Sequence, residues 1–175
     1  MNTLITFLDD LASNDNLLSE NILKVKQFFN SALDSEIDKI CDEFAHLFPK
    51  WYEKVLIDEP IPCEIVGLLF GLFEQPDGVM LYAAGSDCSN DDPDWAVEPK
   101  YFPKDRYFRF PPFLTIRSTA KARGVEMWVL VLSLTLILVR DYLRTNFKTL
   151  AELFENRDFF VGIGFDDGDI YIVKK

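Results

Sequence analysis

Hydrophobic residues recur at helical spacing through the first third of the chain. Leu4, Phe7, Leu8 and Leu11 follow one another at steps of three and four, Ile22, Val25, Phe28, Phe29 and Leu33 form a second such series, and Ile37, Ile40, Phe44, Leu47 and Phe48 a third. Residues three and four apart share one face of a helix, so the spacing predicts three helices whose apolar stripes face a common core. Ser19 stands where it can cap the second helix, and Ser35 where it can open the third.

From Glu64 the pattern changes to "EIVGLLFGLFEQPDGVMLYAAG", two apolar runs joined by Gln75-Pro76-Asp77-Gly78. Proline supplies the fixed φ of a turn, aspartate favours the turn and glycine accepts a left-handed backbone. A hairpin over 64–84 follows, read as a type I turn with a glycine bulge that sets Gln75 against Val79, Phe73 against Leu81 and Gly71 against Ala83. Both faces of this pair are apolar, which predicts a central position covered on both sides. Gly67 and Gly71 share a face and leave room for a helix to approach. The segment "FFVGIGFDDGDIYIVKK" repeats the device over 159–174, with a two-residue turn at Asp167-Gly168 setting Phe165 against Ile170 and Ile163 against Ile172.

Between the hairpins, 85–112 has little periodicity but many aromatics, among them Trp95, Tyr101, Phe102, Tyr107, Phe108 and Phe110, which need burial. A connection this long carries function or short strands. The run "MWVLVLSLTLILVRDYLRTNF" alternates like a buried strand yet continues amphipathically from Arg140, which favours a buried helix, with a short helix at 149–155 after it. The resulting expectation is one α+β domain over 1–175. A helical part (1–57) and the later buried helix pack on an antiparallel sheet built from the two hairpins and strands of the middle segment, the latter parts lying within 64–175.

Charge divides the chain more sharply than its total of −11 suggests. Residues 1–99 carry 20 acids and 5 bases, 100–123 carry 7 bases and 1 acid, and 124–175 carry 6 bases and 8 acids. Such an acidic front repels nucleic acid and anionic membrane and attracts basic partners. The apolar run Met127–Val139 falls short of the ~20 residues that span a bilayer and is bracketed by Glu126 and Arg140, so no membrane span is expected. The opening "MNTLITFLDDLASND" has neither the basic start nor the cleavage site of a secretory signal and reads as mature protein. Cys41, Cys63 and Cys88 are widely spaced, and the one histidine is His46. That disfavours a disulfide framework or a Cys/His metal site and suits a reducing cytoplasm.

The most suggestive chemistry lies in "GSDCSNDDPDWA" (85–96). Asp87, Ser89, Asp91 and Glu98 occupy the first, third, fifth and twelfth places of a calcium loop, but Asp92 stands where the turn needs glycine and Pro93 follows it. Acid–base catalysis needs carboxylates in unlike environments, and these look uniformly solvated. Asp166, Asp167 and Asp169 are residues that a turn selects on backbone grounds. His46 reads as a partly buried structural residue, and the acidic neighbours of Cys88 should hold its thiol protonated. No phosphate-binding glycine motif completes itself around Gly67 and Gly71. The aromatic and basic stretch 100–123 could grip single strands, but pairing with the preceding aspartate loop is the cheaper account. No cofactor or metal is expected.

The segments "YAAGSDCSNDDPDWAVEPKYFP" and "VGIGFDDGDIYIV" resemble those of small acidic immunity proteins of bacterial polymorphic toxin systems. That resemblance implies a cytoplasmic, non-enzymatic protein that binds and neutralises a basic toxin, with no catalytic residues to carry over. It places the partner-binding surface at Asp87, Asp91, Asp92, Asp94, Trp95, Asp166, Asp167 and Asp169. Trp95 has two readings, an interface anchor or a pin that holds the loop to the core. The alternative function is a small hydrolase or divalent-metal enzyme, which requires the 87–94 and 166–169 carboxylates to converge in one pocket. Target identity and oligomeric state stay open at this level.

Overall fold

Three helices do form from the first third of the chain in the computed structural model: α1 (Thr3–Ser13), α2 (Leu18–Phe28) and α3 (Asp34–Asp58). The structure describes all residues except Met1, Asn2, Asn90, Pro93, Asp94, Asn156 and Lys175, and the side chains of all of these except Leu56, Ile57, Phe147, Leu150 and Lys174. The stripes are buried as the spacing requires, with Leu8, Leu11, Val25, Leu33, Ile37, Ile40, Phe44 and Phe48 all in the core. The caps differ from expectation. Ser19 lies inside the first turn of α2, where Glu20 reaches back to accept the Leu17 N–H at 2.9 Å, half of a capping box without the serine. Leu33, not Ser35, precedes the first residue of α3. Asn30 and Ser31, both at positive φ, close α2, and the Ser31 N–H bonds the Lys26 carbonyl at 2.8 Å.

The two hairpins are β1 (Gly67–Gln75) with β2 (Gly78–Ser86), and β4 (Phe160–Phe165) with β5 (Ile170–Lys174). A two-residue strand, β3 (Tyr107–Phe108), supplies the short strand of the middle segment and completes a sheet of order β3-β2-β1-β4-β5. The sheet is mixed, not antiparallel: β1 and β4 run parallel, Gly67 beside Phe160 and Leu72 beside Phe165. The chain leaves β2, adds β3 at one edge, crosses the helical layer and re-enters at the end of the sheet where β1 began. Arg157 fastens that entry by donating to the carbonyls of Cys63 and Ile65 just before β1.

Both hairpin registers correct the expected ones. Gln75 pairs with Gly78 and Leu72 with Leu81, so the loop is just Pro76-Asp77 and every partner moves by one residue. A side chain at Gly78 would come within about 2.0 Å of the Phe113 carbonyl, which keeps the tight turn against α4 (Pro111–Leu114). In the second hairpin the last pairs are Gly164 with Ile170 and Gly162 with Ile172, leaving a longer loop over 165–169. Ile170 and Ile172 therefore share a face with Gly162 and Gly164, opposite to Ile163 and Phe165.

One face of the sheet (Leu68, Phe70, Leu72, Leu81, Val161, Ile163, Phe165) packs into the helical core. α6 (Met127–Thr145) runs through that core with an unbroken series of buried residues from Val129 to Val139. The helix reading of this run holds, and its two buried hydroxyls are satisfied by the preceding turn, Ser133 on Val129 and Thr135 on Val131. The Arg140 guanidinium donates to the Leu11 carbonyl at 2.7 Å and so closes the C-terminal end of α1. α5 (Ile116–Ala122) and α7 (Phe147–Leu153) flank α6. Among the described residues no single helix is long and apolar enough to cross a membrane.

The other face carries a second, smaller core of Leu69, Ala84, Trp95 and Phe160. Here Gly67 and Gly71 admit aromatic rings, not a helix: an added Cβ would meet the Phe160 ring at 2.3 Å and the Tyr82 ring at 2.1 Å. Among the aromatics of 85–112, Trp95, Tyr101, Phe108 and Phe110 are buried, while Phe102 and Tyr107 remain exposed.

Candidate functional site

The aspartate loop leaves β2 at Ser86 and folds through local turns. The Ser86 hydroxyl accepts the Cys88 N–H at 3.1 Å, the Ser89 hydroxyl accepts the Asp91 N–H at 3.2 Å, and the Trp95 N–H donates to the Asp92 carbonyl at 3.2 Å. Asp87, Asp91 and Asp92 are exposed, and Asp94 lies outside the described residues. Among the described residues no three histidine, cysteine, aspartate or glutamate side chains gather as metal ligands. Trp95 resolves toward the pin. Only 6% of it is exposed; its indole stands edge-on to Phe160 at 4.7 Å and lies over Gly162, so the interface-anchor reading is withdrawn.

At the opposite end of the sheet the β4–β5 turn holds the remaining three aspartates, all exposed. Asp166 is tied down twice: its N–H donates to the Leu72 carbonyl at 3.0 Å, and its carboxylate accepts the Tyr82 hydroxyl at 2.5 Å. Burial first, and then this carboxylate, push the Tyr82 hydroxyl pKa upward. The sequence pattern reads these aspartates as turn residues only; the tie to a tyrosine 84 positions away is a tertiary fact.

Asp167 and Asp169 rim a groove of about 460 Å³ between α1, the start of α6 and this turn. Leu4, Leu8, Leu132, Phe165 and Tyr171 form its apolar lining, with Ile5 and Trp128 at the lip, 46% and 37% exposed. Glu74 completes the rim and already pairs with Arg117 at 2.7 Å. Burial first, and then the Asp169 and Asp9 carboxylates, raise the hydroxyl pKa of Tyr171 in this lining. Such a site can hold an apolar group that carries positive charge on one side. Ile5, Glu74 and Trp128 were not singled out from the sequence. Trp128 sits in a run where every neighbour is core, and only its phase on the helix sets it apart.

The two acidic loops do not converge. They flank opposite ends of the five steps from Gly67 to Leu72 on β1, a separation of roughly 17 Å at the usual strand rise. The basic stretch is engaged elsewhere than expected: Arg117 pairs with Glu74, Arg123 with Glu36 and Lys100 with Glu98, and Arg106 lies over the rings of Tyr107 and Phe102. Its start is clipped to the end of α3, where Tyr101 donates to the Glu59 carbonyl and Lys54 pairs with Asp105. His46 is exposed, 2.8 Å from the Lys50 ammonium, contrary to the partly buried reading. All three cysteines are free thiols. Burial pushes Cys41 up to about 12, and partial burial followed by the Asp87 carboxylate raises Cys88.

Fold and site together define an α+β domain with a helical layer on one sheet face and an acid-rimmed apolar groove at one end. The chain matches no protein-family model, and comparison with curated proteins and with solved structures returns no match.

Proposed function

We propose that the protein is a non-enzymatic binding protein for a basic protein partner, acting as an immunity protein that neutralises a bacterial toxin. The observation that carries this reading is the groove, where the carboxylates of Asp167 and Asp169 adjoin the exposed apolar surface of Ile5 and Trp128. Charge alone is compatible with mere solubility; charge beside exposed apolar area provides both an attraction and a place to bury surface. The net charge of −11 then steers a cationic partner toward the surface and raises its association rate by about 10- to 1,000-fold at low salt. Asp87, Asp91 and Asp92 at the far end of the sheet contribute to the long-range field, with their loop held in place by Trp95. Neutralisation by occlusion needs no chemistry from this chain. It requires a rigid surface, which the buried Val129–Val139 run of α6 and the pinned β4–β5 turn supply.

The test is growth rescue. The open reading frame adjacent to this gene is expressed in a bacterial host alone and together with this chain. The expected result is growth arrest, relief on co-expression, and an association rate that falls steeply with ionic strength. Reversal of Asp87, Asp91 and Asp92 to lysine should slow association. An adjacent product that neither arrests growth nor co-elutes with this chain overturns the immunity reading, and salt-independent binding untouched by charge reversal removes the electrostatic part.

A further inference from the structure

Resting on that reading, we infer that the groove between α1, the start of α6 and the β4–β5 turn seats an amphipathic basic helix of the partner. The groove is two-sided. Ile5 of α1 and Leu132 of α6 line it from the helices and Phe165 from the end of β4, while Asp167 and Asp169 line it from the β4–β5 turn. An occupant must therefore be apolar along one side and cationic along the other. An amphipathic helix presents these as two continuous stripes, with anchors at steps of three and four.

The charges available to the occupant are specific. Glu74 is held by Arg117, whereas Asp167 and Asp169 have no ion pair among the described residues. Trp128 at the lip can cover a lysine or arginine stem and face its cation with the ring. A second copy of this chain is a poor occupant. It brings another −11, and Arg117, Arg123 and Lys100 of its one basic segment are engaged with glutamates. An anionic lipid surface would meet the same repulsion.

The experiment titrates the full chain with two synthetic peptides of about 14 residues, four helical turns, one built from leucine and lysine and one from leucine and glutamate. Binding is read by calorimetry and by indole fluorescence, with Trp128→Phe assigning the optical signal. The leucine–lysine peptide should bind at least tenfold more weakly to Ile5→Lys and to the Asp167→Asn/Asp169→Asn double variant. All three positions are exposed, and thermal melting by circular dichroism verifies that the variants fold. Equal affinity for the variants, or equal binding of the leucine–glutamate peptide, overturns the inference. The two readings fail separately. A neutralised toxin that binds these variants as tightly as the parent leaves the function standing and removes the groove. Specific seating of the leucine–lysine peptide without any neutralised partner does the reverse.

Discussion

Gly162→Ala tests how the acidic loop is held. A methyl group there would sit 2.5 Å from Trp95 Cη2 and 2.8 Å from Cζ2, with Ile170 Cγ2 at 2.9 Å. Carbon–carbon contact is comfortable from ~3.5 Å, so the indole must withdraw by about 1 Å or leave. Leaving is the costlier route: an indole burying about 200 Å² is worth up to roughly 5 kcal/mol, an upper bound because the unfolded chain is itself partly compact. Withdrawal costs what overpacking usually does, about 1–3 kcal/mol, and shifts the 87–92 loop with it. The assay is urea unfolding followed by far-ultraviolet circular dichroism, run as a double-mutant cycle with Trp95→Ala. Once the indole is removed, Gly162→Ala should cost less than about 1 kcal/mol, the remainder arising at Ile170, giving a coupling of about 1–2 kcal/mol. Additive effects, within about 0.3 kcal/mol, would refute the claim that glycine is needed at 162 to admit the ring.

Three further outcomes follow from particular side chains. Tyr52 is 4% exposed and its hydroxyl has no hydrogen-bond partner among the described residues, so Tyr52→Phe should raise stability by about 1 kcal/mol; a comparable loss in urea unfolding would show the hydroxyl to be engaged. Tyr82→Phe removes the donor to Asp166 and should speed amide hydrogen exchange at Gly168 and Asp169 with little change in global stability; unaltered exchange would mean that the backbone bond from Asp166 to Leu72 suffices. A thiol reagent at pH 8 should modify exposed Cys63 first and Cys88 more slowly, because a raised pKa leaves less thiolate at a given pH. Cys41, buried and near 12, should react only on unfolding; its reaction in the native state would contradict the packing of α3.

Much of the architecture was legible in the sequence because it rests on local periodicity. The 3.6-residue stripes of α1, α2 and α3 and the continuous apolar run of α6 each report burial directly, and Pro76-Asp77 and Asp167-Gly168 mark both hairpin turns through backbone preferences. The registers were not legible to the residue, since a one-residue slip leaves an apolar strand apolar on both faces. The parallel pairing of β1 with β4 was hidden for another reason: it joins strands some ninety residues apart, and neither carries a mark of its neighbour.

The candidate site divides along the same line. Composition and turn chemistry placed Asp167 and Asp169 on an exposed turn, and the charge pattern pointed toward basic partners. Tertiary structure supplied the rest. It buried Trp95 against Phe160 and Gly162, tied Asp166 to Tyr82, and brought Ile5, Trp128 and the turn around one groove. Local sequence governs which backbone state a segment prefers and which of its faces is apolar. Which apolar faces stay uncovered, and which charges stand beside them, depends on contacts between distant segments, and those exist only in the folded chain.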